Sequence, residues 1–493
     1  MRLNTKNVSW NLFGGAWTGL LVVLATPWYV SSVGLSGYGV VGLWLMLQVM
    51  MGLLDMGIGA ALIKGLASAP QGNSGATIRR DLLRTLELLY WGIALVLMLA
   101  LVASSDWISH RWLKAGTLPA HSLSTAMLLM AVSLGLQFPG ALYANGLAGL
   151  QAHAHMNAMQ VAGNTLRYGA GAAVLLWRAD IVWFFGVQIG VAAAQTVATR
   201  SLTWHLLSTP GAEAPRFRRA VLAQIRNFSA GMALTAVCAV LLASADRIVL
   251  SRMVSMEALG QYALAFAGAG LLQLGIQPFY RTFFPRYAEL LSLNDHVALR
   301  REYFQGCRMM AMLLLPLGLV GFVFAPELLH AWLGRHDETL ANTFRLLLLG
   351  ITCSGLCWLP AAFQQAHGWT RLHTQMMVGS VLIGVPLIVM AVPAFGIAGA
   401  TAVWLVHGLS DLTLGLWLMH RRLLRGDLLH WYRTVLTLPL LTAGPLAAAA
   451  VWLMPDELGR WSGLAWAAAT GLLACGSAFA AQQYMAERSD RTI

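Results

Sequence analysis

A few polar side chains sit inside otherwise apolar stretches of this chain, and their spacing is regular. Asn157, Gln160, Asn164 and Arg167 follow one another at intervals of 3, 4 and 3, which on a helix draws a single stripe. Gln273, Gln277 and Arg281 stand at i, i+4 and i+8 and draw a second one. Each stripe ends in a guanidinium, which stays charged and grips phosphate oxygens through paired hydrogen bonds, so two such stripes would suit an anionic headgroup. Asp55 lies two turns after Gln48, Asp411 follows His407 by one turn, and Asp246 neighbours Arg247. A desolvated aspartate takes up a proton more readily and histidine titrates near neutrality, which makes Asp55, Asp411, His407 and Asp246 candidates for ion coupling. The competing reading is structural: the amides join helices and the carboxylates neutralise the arginines. Glu87, near the start of its helix, reads as solvated or paired with Arg84.

The elements that must position these residues are membrane-spanning helices. A hydrocarbon core of ~30 Å needs roughly 20 apolar residues of helix. Such windows recur at about 7–32, 38–66, 81–103, 122–148, 158–178, 181–207, 227–252, 259–285, 303–326, 341–366, 374–393, 396–420, 435–454 and 461–484. An all-α polytopic membrane protein of about 14 transmembrane helices follows. Composition agrees: 58% of residues are hydrophobic and 11% charged, too little polar surface to cover a soluble globule of 493 residues. Arg167 falls about nine residues into its span, close to the bilayer midplane at 1.5 Å per residue. Pro27, Pro139, Pro278, Pro316, Pro360 and Pro386 fall within spans and favour kinks.

Fourteen spans leave both termini on one side. The net charge of +12 sits mainly on that side, as in Arg79-Arg80, Arg300-Arg301 and Arg421-Arg422, while Arg111, Lys114, Arg178, Arg252, Arg335 and Arg460 fall on the other. Positive charge marks the cytoplasmic side, so the charge encodes topology, with cytoplasmic termini, and calls for no nucleic-acid partner. The five cysteines, Cys238, Cys307, Cys353, Cys357 and Cys475, fall in or beside helices and imply neither a disulfide framework nor a metal site. No phosphate-binding G-x-x-x-x-G-K-[ST] loop, no H-E-x-x-H and no long loop is present, so no cofactor or catalytic residue is expected.

Landmarks recur along the chain in the same order. Lys6-Asn7-Val8-Ser9 matches Arg226-Asn227-Phe228-Ser229, Gly37-Tyr38 matches Gly260-Gln261-Tyr262, and Arg79-Arg80-Asp81 matches Arg300-Arg301-Glu302. Pro139 matches Pro360, and Phe185-Gly186-Val187 matches Phe395-Gly396-Ile397. This predicts two six-helix bundles, 1–207 and 227–420, joined by a cytoplasmic linker at 208–226 and followed at 421–493 by a basic loop, two extra helices and a tail. An even number of spans per repeat keeps both halves the same way up, with a central site between them.

Asn7-x-x-Trp10-Asn11-x-x-Gly14, Gly37-Tyr38-Gly39, Leu54-Asp55-Met56-Gly57-Ile58-Gly59, and Asp246-Arg247 followed by Gly260-x-Tyr262 resemble the Wzx/PST polysaccharide flippases of the multidrug/oligosaccharidyl-lipid/polysaccharide transporter superfamily. The resemblance covers roughly residues 1–430. It implies a V-shaped pair of bundles around a cationic cavity in a bacterial inner membrane. It also implies movement of undecaprenyl-pyrophosphate-linked oligosaccharide from the cytoplasmic to the periplasmic leaflet, for exopolysaccharide, capsule or O-antigen synthesis. Arg167, Arg281 and Arg247 would then meet pyrophosphate or acidic sugars, and Asp55 and Asp411 would serve coupling to H+ or Na+. A polysaccharide polymerase complex is an expected partner, and the last two helices would contact membrane lipid. The alternatives are a drug/ion antiporter of the same fold, a membrane enzyme of the polysaccharide pathway with His407 as base, and a scaffold.

Overall fold

The computed structural model describes residues 5–53, 58–70, 72–208, 214–222, 240, 244–455 and 459–490. Asp55, Cys238, the Arg226–Ser229 landmark and most of the span expected at 227–252 lie outside the described residues. Among the described residues the chain is helical throughout, with one isolated bridge between Lys114 and Ser255. Ten helices among the described residues are long and apolar enough to cross a membrane, or eleven if Met256–Ala269 and Leu272–Ser292, bent by 44°, form one span.

The differences from the expected fourteen have local causes. The two spans expected at 7–32 and 38–66 count as one because α1 (Thr5–Leu53) carries two helices through a kink at Gly34, whose φ of 68° lies in the left-handed region that glycine alone enters freely; a further helix follows at Ile58–Ser68. Helix α5 (His153–Trp177) is long enough, but its polar stripe keeps it out of the apolar set. The single span expected at 341–366 is present as Glu338–Ala366, with an internal break at Cys357 between α12 (Glu338–Leu356) and α13 (Trp358–Ala366). Pro360, in the first turn of α13, has no N–H to continue the earlier ladder.

The chain forms two compact units, Met1–Gly260 and Gln261–Ile493. In the first, α3 (Asn73–Trp107), α4 (Ala120–Gly149) and α6 (Ile181–Leu206) pack around Leu62, Leu83, Leu86, Tyr90, Phe138 and Leu142. The loop after α3 staples the helical stretch 244–253. Trp112 Nε1 donates to Ser251 Oγ at 2.9 Å, Lys114 Nζ to the Met253 carbonyl at 2.6 Å, and Met256 N to the Lys114 carbonyl at 3.0 Å. Nearby, Leu35–Gly39 crosses Met256–Gly260 at backbone contact. A Cβ on Gly39 would stand 2.2 Å from the Met256 carbonyl oxygen, and one on Gly260 would stand 2.1 Å from that of Leu35. The crossing is reciprocal, and its offset (256 − 35 = 260 − 39 = 221) equals that of the Arg79 and Arg300 landmarks.

At the opposite end of α3, the stretch 214–222 of the expected linker docks on buried Asp81. Arg218 pairs with the Asp81 carboxylate, Arg216 N donates to it at 2.7 Å, and Arg218 N donates to Thr85 Oγ1 at 3.0 Å.

In the second unit, Tyr287, Tyr303, Phe363 and Trp431 build an aromatic core among α9 (Leu272–Ser292), α10 (His296–Val323) and α13. The two extra helices, α18 (Thr437–Trp452) and α19 (Arg460–Asp490), pack on each other and on α10. Ala443, Ala450, Ala467 and Ala474 meet Val320 and Phe324 there, small residues that let membrane helices approach closely.

Candidate functional site

The stripe on α5 divides into two faces. At about 100° per residue, Gln160 and Arg167 fall within roughly 20° of each other and some 40–80° around the helix from Asn157 and Asn164. The asparagine face turns to α1: Asn164 Nδ2 donates to Thr18 Oγ1 at 2.9 Å, and Asn157 is buried beside Gly14. The other face turns to α4 and α6. There Arg167, only 8% exposed, donates from Nη2 to Gln195 Oε1 at 2.8 Å. With its side-chain oxygen turned toward Arg167, Gln137 accepts from Nη1 and Nη2 at 3.2 and 3.1 Å. The guanidinium lies 5.9 Å from the centre of the Trp44 ring, and Gln188 Nε2 donates to the Arg167 carbonyl at 3.1 Å. Among the described residues no carboxylate pairs with Arg167. Neutral amides and an aromatic face hold a charge whose sign is left uncompensated.

In front of these amides lies a cavity of about 290 Å³ within the first unit. Gln48, Gln137, Gln160 and Gln195 line it with Thr196 and Thr199, among apolar walls that include Met51, Phe138, Met156 and Met159. Such a wall donates to and accepts from hydroxyl groups, while the charge behind it favours an anion. Thus Gln160 reaches the cavity directly, Arg167 acts from behind Gln137 and Gln195, and Asn164 belongs to a helix contact. Sequence reasoning missed Gln137, a lone amide on an apolar helix, and Gln195, although Gln188 stands two turns before Gln195 and the i, i+7 interval places both on one face.

The second stripe behaves differently. Gln273, Gln277 and Arg281 are all exposed along one face of α9 in the second unit. Such a face is costly against hydrocarbon and belongs against water. Asp246 is buried, Arg247 is partly buried, and the two approach to 3.8 Å in the first unit, so the expected neutralising contact is present.

His407 and Asp411 meet as their spacing requires, with Nε2 3.6 Å from Oδ2. His407 lies on α15 (Ile397–Ser410), and Asp411 opens a π-helical turn, Asp411–Gly415, of a kind frequent at functional sites. Two serines from other helices complete the group. Ser380 Oγ of α14 (Thr370–Phe395) lies 3.0 Å from His407 Nδ1, and Ser354 Oγ of α12 donates to Asp411 Oδ2 at 3.2 Å. The result is a polar cluster drawn from three helices and the π-helical turn, in which two hydrogen bonds flank a 3.6 Å histidine–carboxylate contact.

Glu87 makes more side-chain contacts than any other carboxylate among the described residues of the first unit. It is 2% exposed and meets Arg84 at 2.8 Å, Arg200 at 2.6 Å, Tyr143 Oη at 2.7 Å and Trp204 Nε1 at 3.3 Å. The Arg84 contact follows from i, i+3 spacing. The other three donors bind α3 to α4 and α6, a structural role.

A family model described as polysaccharide biosynthesis protein matches residues 4–291, more than half of the chain. The chain belongs to that family. Within the polysaccharide biosynthesis proteins, a curated relative is a putative O-antigen transporter of Shigella flexneri, 21% identical over 419 residues that cover 84% of this chain and 97% of that one. Among solved structures, the lipid II flippase MurJ in an inward closed conformation aligns with a TM-score of 0.70 at 11% identity, covering 96% of this chain and 97% of MurJ. An inward-facing multidrug resistance transporter of the MATE family and the MOP superfamily aligns with a TM-score of 0.66 at 13% identity, over 82% of this chain and 95% of that one. At these identities the likeness is one of fold. The family membership agrees with the flippase resemblance carried by the sequence motifs.

Proposed function

We propose that this protein is a flippase that moves an undecaprenyl-pyrophosphate-linked oligosaccharide across the bacterial inner membrane, for exopolysaccharide, capsule or O-antigen synthesis. The observation that carries the reading is the amide-lined cavity backed by Arg167, within a member of the polysaccharide biosynthesis family. Glutamine side chains meet sugar hydroxyls, and the uncompensated guanidinium attracts the anionic part of the substrate. The exposed Gln273, Gln277 and Arg281 offer a second polar face of the same chemistry. Ion-coupled alternating access is the mechanism proposed, with His407, Asp411, Ser354 and Ser380 binding H+ or Na+. A histidine in direct contact with the carboxylate favours the proton. Asp55 and Asp246 are proposed as further coupling carboxylates. Fourteen spans in two six-helix bundles plus two, cytoplasmic termini, and work beside a polysaccharide polymerase complete the proposal.

Deletion of the gene followed by analysis of lipid-linked intermediates tests it. Undecaprenyl-linked glycan is expected to accumulate on the cytoplasmic leaflet while surface polysaccharide falls. Normal surface polysaccharide without accumulation, in a strain lacking a redundant flippase, would overturn the proposal. A drug/ion antiporter is the second reading, favoured by the shared fold of the multidrug transporters. An unneutralised arginine behind the cavity disfavours the cationic substrates that reading requires.

A further inference from the structure

The helical run that begins at Ile397 ends in α16 (Leu416–Leu423), turns at Gly426 with φ 88°, and resumes in α17 (Leu428–Trp431). Trp417, Arg421 and Arg425 recur at every fourth residue and, with His420, Gly426 and Leu428, line a hollow of about 560 Å³, a size within the ~300–1,000 Å³ of ligand pockets. Trp417 is 43% exposed, Arg421 and Arg425 are exposed, and the Arg421 guanidinium stands 5.3 Å from the Trp417 ring centre. The floor is fixed. His420 is 1% exposed, with Nδ1 2.9 Å from the Leu416 carbonyl and Nε2 3.5 Å from Tyr303 Oη.

The charge of this hollow is not balanced from within. The carboxylate of the loop, Asp427, is taken by Arg300, which donates from Nε and Nη2 at 2.7 and 2.8 Å. Among the described residues neither Arg421 nor Arg425 meets a carboxylate. Like charges four residues apart repel, and a bound anion would offset that cost. Below the arginines the same span presents exposed apolar side chains, Val406, Leu409, Leu414 and Trp417, and Leu429 is exposed just beyond them. A ligand that matches both parts has an anionic head and an apolar body, and an exposed tryptophan beside arginines suits the headgroup level of a bilayer.

We infer that this hollow binds the phosphodiester of an anionic membrane phospholipid, held by Arg421 and Arg425 with the glycerol region on Trp417. The site is separate from the transported substrate and does not depend on the function proposed above. If the arginines served only to orient the chain in the membrane, no lipid would be distinguished there.

Binding and thermal unfolding of the full-length protein in neutral detergent test the inference, with phosphatidylglycerol, phosphatidylcholine and inorganic phosphate as probes. Phosphatidylglycerol is expected to bind and raise the unfolding midpoint, and the other two to do neither. R421Q/R425Q is expected to bind phosphatidylglycerol about 30-fold more weakly, at ~1 kcal/mol per cation. R422Q, whose guanidinium lies over Trp369 at 4.4 Å and does not line the hollow, is expected to match the wild type. Should the double variant fail to fold, R425Q alone is expected to bind about fivefold more weakly. Unchanged affinity in these variants, or equal binding of phosphatidylcholine, would overturn the inference. A shift reproduced by inorganic phosphate alone would assign the hollow to a soluble anion and overturn the lipid.

Discussion

Replacing Arg167 by glutamine removes the charge behind the cavity and keeps a side chain able to hydrogen-bond. The guanidinium touches Gln137 and Gln195, and both of those residues line the cavity, so a bound anion would sit one side-chain layer away. A unit charge at roughly 7 Å in an effective dielectric of ~20 contributes about 2.4 kcal/mol. That corresponds to ~50-fold in the affinity for an anionic substrate. Arg167→Lys keeps the charge and loses the two-pronged contact, so its expected loss is only severalfold. The assay is transport of lipid-linked glycan in reconstituted vesicles, read beside membrane levels and thermal stability. A purely structural Arg167 predicts a different order, with the lysine and glutamine variants equally impaired and both less stable. The electrostatic reasoning fails if stable Arg167→Gln protein transports at the wild-type rate, or if lysine is no better than glutamine.

Four further expectations follow from other parts of the molecule. Asp411→Asn and His407→Ala are each expected to abolish the dependence of transport on an imposed ion gradient while leaving substrate binding within about twofold, by binding and gradient-driven flux on the same protein. Glu87→Ala leaves the buried Tyr143 hydroxyl without its acceptor and half-exposed Arg84 and Arg200 without their partner, and is expected to destabilise the first unit by about 1–3 kcal/mol, read as a lower unfolding midpoint. Gly39→Val and Gly260→Val force side chains into the Met256 and Leu35 carbonyls respectively, and their equal loss of stability would show in parallel melts. The hydrogen bonds from Arg300 hold the Asp427 carboxyl below the usual carboxylate range. A depressed carboxylate contributes its stability above the unfolded value of roughly 4 and loses it as the pH falls through the folded value. Wild type should therefore resist proteolysis in the 424–428 loop better than Asp427→Asn at pH 6, and the two should converge once the pH has fallen through the folded value.

The parts of the site that sequence made legible are those written in short intervals. His407 with Asp411 and Arg84 with Glu87 stand one turn apart, and helix geometry alone brings them together. The polar stripe of α5 was equally visible, yet its division between α1 and the cavity was not, because a 3, 4, 3 spacing leaves neighbouring faces only a fraction of a turn apart. Partners contributed by distant helices left little trace in the intervals. Gln137, Ser354 and Ser380 are single polar residues in apolar surroundings, Gln195 shares a face with Gln188, and tertiary packing gives them and Arg200 their meaning. Helicity throughout was plain from apolar length. The kink at Gly34 falls between the spans read at 7–32 and 38–66, and the break at Cys357 stands beside Pro360, whose place within a span already favoured a kink.

The reciprocal crossing of Leu35–Gly39 with Met256–Gly260 has the grammar of a homodimer interface written into one chain. Each segment presents its glycine to the other's carbonyl, so donor surface and acceptor surface are the same surface used twice. Contacts of that kind involve backbone and exclude side chains, which leaves natural variation little to adjust. A change tolerated on one strand of the clasp must also be tolerated by its counterpart 221 residues away (260 − 39). The two segments are thereby held to a shared history, and this spot should drift more slowly than the polar cavity, where one glutamine can change without asking leave of another.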